Sequence, residues 1–446
     1  MRGALLYAPG DVRVEQRADP TIEQPTDAVI RLAATCVCGS DLWPYRGIEK
    51  VDGPAPMGHE YVGVVEEIGR DVRNVRPGQF VVGSFFASDN TCEICRAGYQ
   101  SSCVHREPVG ALGAQAEYLR VPLADGTLVA TPELPSDDLI PSLLAASDVL
   151  GTGWFGAVAA EAGPGKTVAV VGDGAVGLLA VLAARQLGAD RIIAMSRHEP
   201  RQKLALQFGA TDIVTERGDH GVARIKDLTN GLGAHSVIEA VGTQESMMQA
   251  IHSTRPGGHV GYVGVAHDVQ LPGDQLFFSH VHLHGGPAPV RRFLPELIDL
   301  ICHRSIDPGK VFDLTLPLDQ AAEGYRRWTN AAPSKRCCAP DRPTEEITRG
   351  TQPRPPHRQN ARRKLHRRRL PDSHLQRHRA VPDDRRARAL HPRRPYQLAP
   401  PRGGPDPACD RGRRARRYPR RHGSAHPPRR HRRLPARRGA LARRCR

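Results

Sequence analysis

The chain has 446 residues, 39% hydrophobic and 25% charged, with a formal net charge of +17. That length allows two or three domains and a sizeable core. Aromatic residues make up only 5%, and no apolar run approaches the roughly 20 residues a membrane helix needs, which argues against an integral membrane protein. Residues 1–16 lack the basic-then-apolar pattern of an export signal and predict a β-hairpin; a cytoplasmic protein is expected.

The charge is unevenly spread. Residues 327–446 carry 37 Lys and Arg against 8 Asp and Glu, a net of +29, which leaves −12 for residues 1–326. An acidic body carries a basic tail.

Within the body, residues 1–150 hold short β-branched stretches punctuated by Gly and Pro: DAVIRLAAT, YVGVVEEIG, GQFVVGSFF and AEYLRVP. Their spacing predicts a mostly antiparallel β domain. From Gly165 the pattern changes to strand–helix alternation: TVAVVG, AVGLLAVLAARQLG, RIIAMSR, RQKLALQFG, DIVTE, ARIKDLTNG, SVIEAVG, SMMQAIHST and HVGYVGV. Such repetition specifies a doubly wound parallel sheet in an α/β fold. Beyond residue 288, PELIDLICHRS and VFDLTLPLDQAAEGYR predict a helix, a strand and the start of a helix.

The tail has 35 Arg but only two Lys (Lys335 and Lys364), 18 Pro and no Phe. It shows no periodicity, and its composition cannot bury enough apolar surface to offset chain entropy, so disorder is expected. Arg clusters neutralise phosphates, which would suit a nucleic-acid-binding arm. Arg, Pro, Ala and Gly almost without Lys is also what GC-rich DNA yields out of frame. Codons can be chosen for residues 327–340, with TGG fixed for Trp328. Regrouped by one nucleotide with a G restored, they spell AMDERRAIKALLRP. After Gly324-Tyr325-Arg326 this is an amphipathic run of good helix formers. The frameshift is the favoured reading, and nucleic acid is not an expected partner.

Gly172-Asp173-Gly174-Ala175-Val176-Gly177 is G-x-G-x-x-G set directly after a strand and opening a helix. Two glycines permit a tight turn and close approach to a pyrophosphate seated on the helix N-terminus, and the third permits close helix–strand packing. An NAD site would place Asp or Glu at the end of the second strand. Here that strand ends Met195-Ser196-Arg197-His198, a hydroxyl followed by a guanidinium, which suits the 2′-phosphate of NADP. An exposed loop arginine is the plain alternative, so NADP is favoured and NAD stays open.

Ligand-type residues come from three places: Cys36-Val37-Cys38-Gly39-Ser40-Asp41, Gly58-His59-Glu60, and Asp148 within SDVLGTGW. Singly each is weak. Together they offer sulfur, nitrogen and oxygen donors for a tetrahedral zinc with one open position.

The order CGSD, GHE, SD and then a Rossmann unit resembles the zinc-dependent medium-chain alcohol dehydrogenases, most closely the NADP-dependent secondary-alcohol branch. HLHGGPAP at 282–289 and LIDLICHRSIDPGKVF at 297–312 share that likeness. The resemblance implies a GroES-like zinc catalytic domain (1–152), a Rossmann domain (153–287), a return segment of the catalytic domain (288–326) and the basic tail (327–446). It implies that Cys38, His59 and Asp148 hold the catalytic zinc, with Glu60 a resting-state ligand and Ser40 the proton relay. Cys36 matches no ligand position, and Cys302 suits a core helix. The cofactor would lie against Gly172, Gly174, Ala175, Val176, Gly177, Ser196, Arg197, Val241 and Val263. Asp89, Cys92, Cys95 and Cys103 match the structural-zinc lobe with Asp in the first position; an empty, reduced lobe is the alternative. Many relatives carry His where this chain has Trp43, which would wall the substrate pocket or pack in the core.

The implied activity is hydride transfer between a small alcohol and NADP or NAD, by a homodimer or homotetramer. The rivals are a zinc-free quinone or enoyl reductase of the same fold and a protein that binds nucleic acid through its tail.

Overall fold

In the computed structural model, residues 1–330 and 335–339 are described, all within one compact unit, Met1–Gln359. Strands Arg2–Ala8 and Asp11–Gln16 form the expected hairpin, turning through Gly10 at φ +80°.

The antiparallel half is built on strand Ala28–Val37. It pairs antiparallel with Tyr61–Ile68, Tyr118–Val121 and Lys335–Ala339 in a seven-stranded sheet. Nine of its ten residues are buried, so the hydrophobic-in, polar-out alternation of a half-covered strand is absent. Ala28, Ile30 and Leu32 enter one core cluster with Tyr61, Leu119 and Leu128, whereas Ala33, Ala34 and Cys36 enter another. Cys36 is therefore a core residue.

The second half is a six-stranded parallel sheet. Its order is Asp212–Val214, Arg191–Met195, Thr167–Val171, Ala234–Glu239, Thr254–Tyr262, His282–Gly285. Numbered along the chain this is 3-2-1-4-5-6, the dinucleotide-fold order, with its switch point between the strands that end at Val171 and Glu239. The sixth strand falls in HLHGGPAP.

Two helices, Ile140–Ala146 and Val149–Ala159, join the halves. Val149–Ala159 is apolar on nearly every face because it is covered on nearly every face. A Cβ on Gly153 would stand 2.7 Å from the Ala180 backbone nitrogen, so glycine sets how closely this helix meets Ala175–Gln186. No single helix among the described residues is long and apolar enough to cross a membrane.

The start of the basic segment departs from the expectation of disorder at 327. Arg327 and Trp328 continue helix Ala321–Asn330, and Trp328 is buried with Ala321 and Tyr325. Lys335–Ala339 then enters as a strand, not a helix, between Ala28–Val37 and Phe312–Pro317. A five-residue strand inserted between two others is shaped by those neighbours and leaves little periodicity of its own. The expectation of disorder for residues 340–446 lies outside the described residues.

Cys337 and Cys338 pair with Cys36 and Thr35, both buried positions, and the alternative reading frame places leucine at 337 and 338. Restoring that frame should raise the melting temperature of the purified protein by about 2–4 °C or more. Equal melting temperatures for the two chains would contradict the frameshift reading.

Candidate active site

Cys38 follows the end of strand Ala28–Val37, His59 precedes strand Tyr61–Ile68, and Asp148 immediately precedes helix Val149–Ala159 without a side-chain bond to its amides. Gly58, at φ +89° and packed on Gln115, makes the turn that presents His59. Ligand atoms of Cys38, His59, Glu60 and Asp148 all lie within 4.8 Å of one another. The Asp148 Oδ2 stands 3.2 Å from His59 Nε2 and 3.8 Å from Cys38 Sγ. A tetrahedral zinc with ordinary bond lengths would set these edges at about 3.3 and 3.5 Å, so the donors fit that ion. Asp148 is steadied by Thr152, whose hydroxyl donates to Oδ1 at 2.7 Å.

A second layer holds the first. Asp41 Oδ1 lies 3.2 Å from His59 Nδ1, which leaves Nε2 facing the other donors. Asp41 Oδ2 accepts from the Cys38 backbone N–H at 2.8 Å and from Gln115 Nε2 at 3.4 Å. Gln115 also donates to the Cys36 carbonyl and accepts from the Tyr325 hydroxyl at 3.0 Å. The chain Tyr325–Gln115–Asp41–His59 thus ties helix Ala321–Asn330 to the donor group. Burial opposes charge on His59, but Asp41 and Asp148, one at each ring nitrogen, outweigh it and hold its proton affinity well above the ordinary histidine range. Sequence reading quoted Asp41 inside CGSD without assigning it a role. Gln115 and Tyr325 carried no local signal.

Cys38, His59 and Asp148 open into a cleft of about 1360 Å³, whereas Glu60 is fully buried and does not line it. Ser40, Trp43 and Phe85 also line the cleft, as do Val241 and Val263. Trp43 stacks on His267 with ring centroids 3.4 Å apart, so it is a wall of the cleft. Its indole N–H donates but cannot accept, so no proton path from Ser40 to solvent runs through this side chain.

At the switch point Gly172 adopts φ +121°, and a Cβ on Gly177 would sit 2.1 Å from the Gly172 carbonyl oxygen. Helix Ala175–Gln186 begins after Gly174 with no side chain capping its amides, which leaves them for an anionic group. The cleft continues past Gly172, Gly174, Ala175 and Val176 to Arg197 and two arginines that sequence reading missed, Arg201 and Arg217. Ser196 is 1% exposed, and its hydroxyl donates to Asp173 at 2.8 Å.

Asp89, Cys92, Cys95 and Cys103 form a second group with ligand atoms within 4.8 Å. The Cys92 and Cys103 sulfurs are 3.9 Å apart, near the roughly 3.8 Å edge of a zinc thiolate tetrahedron. Backbone N–H groups of Val104 and Cys95 lower the Cys92 thiol to about 7. Burial opposes ionisation of Asp89, but the backbone N–H groups of Thr91 and Cys92, with His105, hold its carboxyl below the usual range. His105 Nδ1 lies 2.7 Å from Asp89 Oδ2. The residues suit zinc.

Removing the outer carboxylate should loosen the inner ligands. Asp41→Asn is expected to weaken zinc binding about 10–100-fold, measured by competition with a chromogenic chelator. Zinc must displace the His59 proton, so affinity should also fall as pH drops. Unchanged affinity in Asp41→Asn would show that the outer layer does not hold the site.

Comparison with known proteins agrees with both halves of this geometry. The family described as alcohol dehydrogenase GroES-like domain matches residues 24–133, and that described as zinc-binding dehydrogenase matches 175–301. Zinc-type alcohol dehydrogenase B of Aspergillus flavus is 34% identical over 337 residues, covering 73% of this chain and 78% of that protein. The NADP-dependent isopropanol dehydrogenase of Thermoanaerobacter brockii is 32% identical, covering 70% and 91%. The solved alcohol dehydrogenase TADH from Thermus sp. ATN1 is 31% identical, with a TM-score of 0.70 over 76% of this chain and 99% of its own. With a GroES-like half, a Rossmann half and these relatives, the chain belongs to the zinc-dependent medium-chain alcohol dehydrogenase family.

Proposed function

We propose that this oxidoreductase transfers hydride between a small alcohol and NADP, with NAD as a second cofactor, using Cys38, His59 and Asp148 as zinc ligands and Glu60 as a resting-state ligand. The observation that carries this reading is the continuity of one cleft from Cys38, His59 and Asp148, past the glycine turn, to Arg197, Arg201 and Arg217. A dinucleotide lying along it would set its nicotinamide end beside the ligand group and its adenosine end among the arginines.

When bound, zinc lowers the pKa of a coordinated alcohol and nicotinamide accepts the hydride. The protein's own side chains do the rest. Ser40 would relay the alcohol proton, accepting it at Oγ as its own hydroxyl proton passes to a ribose hydroxyl and on to water, while Trp43 and Phe85 wall the cleft beside it. Gly172, Gly174, Ala175 and Val176 receive the pyrophosphate, with Val241 also lining the cleft, whereas Gly177 does not line it and serves the close packing of the helix on the glycine turn. Three guanidiniums at the adenosine end favour a 2′-phosphate, in keeping with the NADP dependence of the Thermoanaerobacter brockii relative. Asp89, Cys92, Cys95 and Cys103 take a second, structural zinc. Phe277 and Phe278, 75% and 77% exposed in the helix that leads to the edge strand His282–Gly285, favour assembly with further copies of the chain as a dimer or tetramer.

The test is a scan of alcohols and carbonyl compounds with each nicotinamide, coupled to metal analysis. Two zinc ions per chain are expected. Cys38→Ala should lose one of them and about 10³-fold or more in turnover, whereas Cys103→Ala should lose the other. Turnover that survives full removal of zinc would instead favour a zinc-free reductase of this fold.

A further inference from the structure

The adenosine end of the cleft holds an acid as well as three bases. Asp173, the variable residue of the first G-x-G, has only 14% of its side chain exposed. Its Oδ2 accepts from the Ser196 hydroxyl at 2.8 Å and its Oδ1 from Arg201 Nη1 at 3.0 Å. It thus engages both the hydroxyl expected to read a 2′-phosphate and one face of an arginine that lines the same space. Two donors around it are buried without a hydrogen-bond partner among the described residues: Arg201 Nη2 and Arg217 Nη1. Buried guanidinium N–H groups left unpaired are costly, so the cluster is incomplete and wants further negative charge.

The charges define what that is. Arg197, Arg201 and Arg217 against Asp173 leave a net of about +2, opposite to the charge of roughly −1.5 to −2 on a phosphate monoester. Burial lowers the proton affinity of Arg217, Asp173 raises it and Arg197 lowers it again, as expected of a guanidinium short of counter-charge. A 2′-phosphate placed here would supply the missing negative charge to the cluster, but it would stand beside the Asp173 carboxylate and compete with it for Arg201. A dinucleotide without that phosphate meets no such repulsion, and its ribose hydroxyls find an acceptor in Asp173.

We infer that Asp173 is a specificity-determining residue: an internal counter-anion that holds the arginine cluster together when no phosphate is present, admits NAD, and restrains the preference for NADP. This rests on the reading of the cleft as a nicotinamide dinucleotide site. It places the acid that accepts ribose hydroxyls in the glycine turn, where the usual position at the end of the second strand carries Ser196.

The experiment is calorimetric binding of 2′,5′-ADP, 5′-AMP, NADPH and NADH to the full-length protein, with no turnover required. Wild-type protein should bind 2′,5′-ADP more tightly than 5′-AMP. Asp173→Asn should raise the ratio of NADPH to NADH affinity about tenfold, with 5′-AMP changing little or weakening slightly. Arg201→Gln should weaken 2′,5′-ADP and leave 5′-AMP nearly unchanged. If wild-type protein binds 2′,5′-ADP no better than 5′-AMP, the NADP reading falls and takes the inference with it. If wild-type shows the preference but Asp173→Asn leaves the NADPH to NADH ratio unchanged or lowers it, the NADP reading stands and the role of Asp173 is overturned.

Discussion

The structure depends on bringing one carboxylate, Asp148, beside one imidazole, His59, from segments 89 residues apart. Neither group belongs in an apolar interior alone, since a buried charge without a partner is costly. Asp148 sits where the connecting helices meet, between Ile140–Ala146 and Val149–Ala159, with core packing behind it. His59 is fixed from its other side by Asp41, and Asp41 in turn by the Cys38 backbone and Gln115. The donor set is thus held in place by the protein's own hydrogen bonds and packing.

Much of this was legible in the sequence. The glycine turn announces itself because only glycine tolerates the φ of +121° at 172 and the close approach at 177. The alternation of strands and helices from residue 165 onward specifies a doubly wound parallel sheet, because parallel strands joined by helices have few allowed topologies, while the strand order itself is seen only in the fold. Cys38, His59, Glu60 and Asp148 were recognisable as donors by type and by their order along the chain.

What escaped was non-local. Gln115 and Tyr325 are ordinary residues of a loop and a helix, and their role exists only because folding sets them 3.0 Å apart beside Asp41. The strand at Lys335–Ala339 takes its form from the strands on either side. Asp173 was visible as the x of G-x-G, but its pairing with Ser196 and Arg201 crosses from the glycine turn to the second strand and its following helix. Trp43, ambiguous between pocket and core, is half-buried and lines the cleft, with His267 stacked against it.

The measurement that bears most directly on the central claim is anomalous diffraction at the zinc edge from crystals of the full-length protein grown with zinc. The account predicts a peak between Cys38 Sγ, His59 Nε2 and Asp148 Oδ2. A map with zinc at Cys92, Cys95 and Cys103 but none among those three atoms would contradict it.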